Sequence, residues 1–452
     1  MRVKLDMPMS VGEITTALGG KAELNLKNRI ISFITTDTRE LCKGDLYIAI
    51  RGKNYNGENF VDEAKRLGGI PLSVQDTDGC ITVSDTQNAL FSLAKYYKGF
   101  LPRLRKTVGI TGSVGKSTTK EFLSVIASEG GSVYKSEGNY NNHIGLPLTI
   151  LGCKRSSEIM VLELGMNSQG EIRKLSKCAE PDIAIITNVG TAHIGKLGTR
   201  ENIALAKLEI AEGEYVKKVI VPNDEPLLLN AKSRHTFSSS DISADTAVIK
   251  SADRYVTVYF GGRRAFCAEF NIEGSHFLNC LAASVAAAYQ LGIDSESTKR
   301  GISKISSNNI RQNIVSVKDF YVLDDSYNAS VESIEADLKF LSSMSGYSAR
   351  SALLGDVLEL GEHAKKIHYE IGKIAARAAL SNLYLFGSYS HYTALGALDG
   401  GMSESTIYIN ENRDEPRITA ADILKHHIAG EIILFKASHA ISLSRVLDLL
   451  KS

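Results

Sequence analysis

The 452-residue chain lacks an excess of either charge: 52 basic residues stand against 51 acidic ones, spread without blocks, for a formal net charge of +1. Such a balance leaves no electrostatic footprint for nucleic acid or an anionic membrane, so a small-molecule partner is expected. Cysteine is sparse, and Cys42, Cys80, Cys153, Cys178, Cys267 and Cys280 form no C-x-x-C pair. Neither a zinc site nor a disulfide framework is indicated, and most of the thiols are expected to be buried and apolar. No run approaches the ~20 apolar residues of a spanning helix, and the opening MRVKLDMPMS has no apolar core of a secretory signal. A cytoplasmic protein without membrane insertion is expected. Short-period repeats and low-complexity tracts are missing as well.

What is present is alternation. The chain is too long for one ordinary core, and at roughly 100–200 residues per domain three domains are expected. Residues 1–102 mix strand-like runs (30–35, 46–50) with helical ones (59–67, 87–97), a small α/β unit closing near Gly99-Phe100-Leu101-Pro102. Across 103–310, apolar runs at 108–111, 159–164, 183–188 and 219–222 alternate with helical segments at 118–128 and 199–213. Continuous apolar strands separated by helices predict a parallel sheet covered on both faces, with ligands at the carboxyl ends of its strands. A β-rich patch at 255–270 precedes a helix at 278–291, and over 311–452 a third alternation predicts a Rossmann-like unit. The expected fold class is α/β throughout.

The stretch TGSVGKST, 111–118, lies between a predicted strand and a predicted helix. Helix-end N–H groups lack internal partners and carry partial positive charge, so such a loop suits an anion. Gly112 and Gly115 let the backbone close on phosphate oxygens, Lys116 supplies a mobile cation, and Ser117 can offer its hydroxyl to Mg²⁺. Ile110 stands where G-x-x-x-x-G-K-[ST] requires Gly, so the motif is the variant G-x-x-G-x-x-G-K-S from Gly109 to Ser117. A nucleoside triphosphate site is expected over Gly112, Ser113, Val114, Gly115, Lys116, Ser117 and Thr118. Three further residues follow strands or lie on the next helix. Glu163 suits a hard cation or a helix cap, His193 a site or an ordinary loop, and Lys207 a site or a solvated helix face.

The motif set TDTRELCKGDLYIAIRG (36–52), TGSVGKSTTKE (111–121), GNYNNHIGLP (138–147), ELGMNSQGEI (163–172), TNVGTAH (187–193), AKLEI (206–210), DDSYNAS (324–330) and LGDVLELGEHAKKIH (354–368) resembles the ATP-dependent Mur ligases of peptidoglycan synthesis. The likeness spans all three segments and is nearest the branch that joins D-alanyl-D-alanine to UDP-N-acetylmuramoyl-tripeptide. It implies a UDP-substrate domain, a P-loop ATPase-type central domain and a C-terminal Rossmann-like domain, with ATP and Mg²⁺ as cofactors. The implied reaction is amide formation through an acyl phosphate, by a monomer that binds no nucleic acid.

Carried over by position, Lys116, Asn142, His193 and Lys207 are the implied catalytic residues. Ser117, Glu163, His193 and Lys207, the last as a carbamate, are the implied metal site. The resemblance implies nucleotide contacts from Asn279, Arg311, Asp325, Tyr327 and Asn328, with a packed aromatic as the alternative for Tyr327. It places the UDP-sugar at Thr36, Asp37, Thr38, Arg39 and Lys43, whose charges suit a pyrophosphate or merely an exposed turn. The chain departs from the family pattern at Gly195, a position often Glu, and at Lys436-Ala437-Ser438-His439, where K-G-S-R is common. Ser330-Val331 replaces a common Asn-Pro, and Gly274 to Asn279 is one residue shorter than usual. Two rival readings are the related ligase that adds the third, diamino acid, for which no D-N-P-R motif is found, and an ATP-gated binding protein without catalysis.

Overall fold

The computed structural model describes residues 1–52, 55–306 and 313–452. They form three sheets, of five, nine and six strands, in chain order. The first sheet opens with Arg2–Ser10, whose alternating side chains put Val3, Leu5 and Met9 in the core. It pairs antiparallel with Ile30–Thr35, and Leu46–Ile48, Ile70–Ser73 and Ile81–Thr82 follow in parallel.

In the second sheet Lys106–Thr111 is the third strand from one edge and lies parallel between Ile159–Glu163 and Ile183–Ile186. These strands are continuous apolar runs because both faces are covered. Parallel pairing continues through Lys218–Pro222, Arg234–Ser238 and Thr246–Ala252. The hairpin Tyr255–Phe260 and Arg263–Glu269 then extends the sheet antiparallel, so the expectation of an all-parallel sheet fails at that edge. In the third sheet, Phe320–Asp324, Ile432–Lys436, Arg350–Gly355, Leu383–Phe386 and Ile407–Asn410 run parallel, with Asn313–Val317 antiparallel at one edge.

The first two units are not independent cores. One apolar cluster runs from Val3, Ile34 and Leu93 into Leu146, Met160 and Ala184 on one face of the central sheet. Phe122, Phe237 and Leu281 cover the other face. The half-buried Lys98 fastens the junction, its Nζ donating to the carbonyls of Ala179 (2.6 Å) and Glu180 (2.9 Å) at the C-terminal end of the helix Glu171–Ala179. There a cation also complements the helix dipole. The third unit has clusters of its own around Leu338 and Leu434, and around Phe435 and Leu447. It meets the central unit through hydrogen bonds from Thr191 to Glu332 and between His193 and Glu359, and through Ile194, which packs against the third-unit cluster. No described helix is long and apolar enough to cross a membrane. Of the six free cysteines, Cys80, Cys153, Cys178 and Cys280 are buried, Cys267 is half-buried, and Cys42 is exposed.

Candidate active site

The loop after Lys106–Thr111 wraps as the glycines require. A Cβ on Gly112 would lie 1.8 Å from Thr187 Oγ1, and Gly115, at φ 82°, turns the chain into the helix Lys116–Ala127. Asn188, at the end of the neighbouring strand, braces the loop: its Oδ1 accepts from the N–H groups of Ser113 (3.0 Å) and Val114 (2.9 Å). Thr187 Oγ1 donates to the Val114 carbonyl at 2.5 Å. Lys116 Nζ is held at the loop mouth by the carbonyls of Gly112 (2.8 Å) and Ser113 (3.2 Å). The first helical turn and the lysine therefore face one point, where a terminal phosphate would lie.

Glu163 is buried beside that point. Its Oε2 accepts from Ser117 Oγ at 2.7 Å and its Oε1 from Asn141 Nδ2 at 2.8 Å. It caps no helix, since the next one, Glu171–Ala179, begins at Gly170 and is tied instead to Glu209. The hydroxyl and carboxylate oxygens of Ser117 and Glu163 fit Mg²⁺, which takes one or two protein oxygens and completes its shell with water and phosphate. Asn142 turns the other way: its Oδ1 accepts from Ile144 (3.0 Å) and Gly145 (2.9 Å) at the start of the helix Gly145–Leu151. The asparagine on Glu163 is thus Asn141, one residue from the candidate.

Lys207 is 1% exposed, which removes the solvated-face reading. Burial drives its pKa well below the usual lysine range; the Lys116 charge acts in the same direction and Glu332 opposes it. His193 adopts φ 67° and its Nδ1 lies 2.5 Å from Glu359 Oε2, whose other oxygen is 3.3 Å from Lys196 Nζ. Hydrogen bonding from His193 holds the Glu359 carboxyl down at about 2. Glu359, itself at φ 63°, also accepts from the Gly195 N–H through its carbonyl at 3.1 Å. A Cβ on Gly195 would come within 2.4 Å of the Gly361 nitrogen and 2.5 Å of the Leu360 carbonyl carbon. The departure at Gly195 thus has a steric counterpart: the third unit's backbone rests on it.

Between the central and third units lies a cleft of about 780 Å³. Ser113 to Thr118, Glu163, His193, Asn279, Asp325, Tyr327 and Asn328 all line it; Gly112, Asn142 and Lys207 do not. Asp325 is paired with Lys436, which also holds Asp337 at 2.8 Å. Burial pushes the Asp325 carboxyl above the usual carboxylate range, helped by the Asp337 charge and opposed by the lysine. Tyr327 is 37% exposed and meets the His439 ring edge-on at 5.5 Å. His276 packs on Phe277 and Phe340, and burial lowers its pKa to about 4. Arg311 lies outside the described residues.

The first-unit candidates do not line this cleft. Arg39 is exposed and its guanidinium forks onto Asp37 (2.5 and 2.9 Å), which lowers the Asp37 carboxyl to about 2. Thr38 Oγ1 donates to Glu63 at 3.2 Å, and Lys43 is exposed with its stem over Gly68. Thr36 is half-buried after the strand Ile30–Thr35.

Residues 110–288 match the Mur ligase middle domain. The chain is 34% identical over 451 residues to the UDP-N-acetylmuramoyl-tripeptide–D-alanyl-D-alanine ligase of Bacillus subtilis, with 96% of each chain covered. The chain belongs to the Mur ligase family. Among solved structures, this Mur ligase superposes on MurF from Acinetobacter baumannii with a TM-score of 0.87 over the full length of both chains, at 26% identity. It also superposes on the MurF ligase from Thermotoga maritima in complex with ADP, at a TM-score of 0.79 and 28% identity, covering 92% and 96% of the chains. The expected three-part α/β fold and ATP-dependent ligase class of this Mur ligase stand on those full-length matches together with the cleft.

Proposed function

We propose that this Mur ligase adds D-alanyl-D-alanine to UDP-N-acetylmuramoyl-tripeptide, forming ADP and phosphate, as a cytoplasmic monomer. The observation that carries the reading is one cleft combining a lysine-bearing phosphate loop, the Ser117–Glu163 oxygen pair and third-unit residues Asp325, Tyr327 and Asn328. The chemistry demands that charge be offset. An anionic carboxylate has to approach an anionic triphosphate, and Lys116 with the loop N–H groups lowers that repulsion and stabilises the transferring phosphoryl group. Mg²⁺ held by Ser117 and Glu163 would supply further charge neutralisation on the phosphate oxygens. The tripeptide carboxylate attacks the γ-phosphorus, the bond to the ADP oxygen breaks, and the acyl phosphate that results is attacked by the dipeptide amine with loss of phosphate.

Burial of Lys207 favours its neutral amine, the form that adds CO₂ to give a carbamate and a proton. We place Lys207 with His193 as the second metal position, since a carbamate is anionic where a bare ammonium would repel the cation. Asn141 orients Glu163, and Asn142 shapes the loop that carries Asn141. Asn279, Tyr327 and Asn328 are assigned to the nucleotide, together with Asp325 and Arg311. Thr36, Asp37, Thr38, Arg39 and Lys43 are assigned to the UDP-sugar, with Arg39 leaving Asp37 for the pyrophosphate. Closure of the third unit keeps water from the acyl phosphate.

The test is ADP release with UDP-N-acetylmuramoyl-tripeptide and D-alanyl-D-alanine, against the dipeptide precursor with lysine or diaminopimelate. Turnover only with the first pair is expected. Turnover only with the second assigns the chain to the preceding ligase step, and tight ATP binding without product marks it as a binding protein.

A further inference from the structure

Glu332 is a third-unit residue that faces the central unit, and the mechanism above gives it no task. It stands in the first turn of the helix Val331–Ser343, but that helix is already capped by the reciprocal Ser330–Ser333 box. Its carboxylate instead crosses to the TNVGTAH loop. Oε1 accepts from the Thr191 N–H at 2.6 Å, and the carboxylate lies over Gly190, where a Cβ would meet its carbon at 2.7 Å. That loop abuts the phosphate loop, since the Gly190 N–H donates to Ser113 Oγ at 2.9 Å.

Two buried oxygens on these hydrogen-bonded residues, Glu332 Oε2 and Thr191 Oγ1, lack hydrogen-bond partners among the described residues, and both residues line the cleft. Leaving a carboxylate oxygen unsatisfied costs free energy unless a ligand completes it. The other buried acids of the cleft are engaged: Glu163 by Ser117 and Asn141, Glu225 by Arg200, Asp325 and Asp337 by Lys436. Glu359 is held by His193 and Lys196, and Asp224 is exposed to solvent. Lys207 acts on Glu332 through its charge, but burial drives that lysine toward its neutral amine and it makes no hydrogen bond to Oε2. One carboxylate oxygen next to the phosphate loop thus remains without a hydrogen-bond donor, and the second substrate arrives as a cation.

We propose that Glu332 Oε2, with Thr191 Oγ1, binds the ammonium group of the incoming dipeptide, accepts one proton from it, and so leaves the neutral amine nitrogen aimed at the acyl carbon. The inference rests on the proposed ligase reaction and adds the recognition of its second substrate. Because Glu332 belongs to the third unit and Thr191 to the central one, the ammonium site is complete only when the two are docked. Dipeptide binding is thereby tied to closure over the nucleotide.

Glu332→Gln tests this, because the amide keeps an oxygen for the Thr191 N–H while removing the charge and putting N–H donors where Oε2 accepts. The expected result is a rise of about tenfold or more in KM for D-alanyl-D-alanine, the loss of a charge-assisted contact. KM for ATP and for the UDP-tripeptide should stay within about twofold. Hydroxylamine, uncharged at neutral pH, should intercept the acyl phosphate equally fast in both proteins. An unchanged dipeptide KM, or a loss that hydroxylamine shares, would overturn the inference and leave Glu332 a docking contact. A wild-type enzyme that forms neither hydroxamate nor pentapeptide would remove the proposed function itself, and this inference with it.

Discussion

Gly195→Ala probes the docking of the third unit with a single methyl. The added carbon would sit 2.4 Å from the Gly361 nitrogen, 2.5 Å from the Leu360 carbonyl carbon and 2.6 Å from the Glu359 oxygen. All three are backbone atoms, so no rotamer change relieves the clash, and the interface has to separate. Overpacking of this kind typically costs about 1–3 kcal/mol. If only the docked form is competent, its population falls and kcat/KM falls with it, by about 5- to 150-fold. The folded units themselves lose nothing, because Gly195 is in the short helix Ile194–Leu197 at the boundary and not inside a core. Steady-state ADP release gives the rate, thermal melting gives the stability, and small-angle scattering with ATP gives the compaction. A variant with wild-type kcat/KM and wild-type compaction would refute the argument that Gly195 carries the docked interface.

Lys207→Ala is expected to lose ligation and to regain part of it with added short carboxylates, which replace the carbamate; full activity without them would remove the carbamate. Glu163→Gln should lower kcat by about a hundredfold or more while leaving ATP binding measurable by calorimetry, as expected of a group acting on developing charge. Lys436→Met leaves Asp325 and Asp337 buried without their cation and should cost about 3–5 kcal/mol of stability, read by denaturant unfolding. His276 has its folded pKa lowered to about 4 by burial, so the unfolded chain binds more protons between about pH 6.5 and 4. Its stabilising effect is present above that window and is lost as pH falls through it, by at most about 1.4 kcal/mol per pH unit. His276→Gln should flatten the acid limb of a melting-temperature profile over that range.

The phosphate loop and the strands around it were legible because their signals are local: apolar runs bounded by glycine, with Lys116 and Ser117 at the head of a helix. The opening strand does not stand out although Val3, Leu5, Met7 and Met9 alternate cleanly, since Pro8 cannot donate to a ladder and argues against a strand there; the structure absorbs it at the register shift between Lys4 and Met9. The choice between Asn141 and Asn142 turns on which amide caps the helix at Gly145, a matter of backbone direction that adjacent identical residues do not reveal. Lys207 reads as an ordinary amphipathic lysine, and only packing shows it buried. Glu332 and Gly195 gain their meaning across the boundary between units, which composition and periodicity do not encode. The core shared by Val3 and Met160 is likewise tertiary, which is why the first two units looked separable in the sequence.

The most direct test of the central claim follows the oxygen atoms. With UDP-N-acetylmuramoyl-tripeptide carrying ¹⁸O in its terminal carboxylate, ATP and D-alanyl-D-alanine, the released phosphate should contain one ¹⁸O, because the carboxylate oxygen leaves with the phosphoryl group. Phosphate free of ¹⁸O, formed alongside the amide product, would contradict the account.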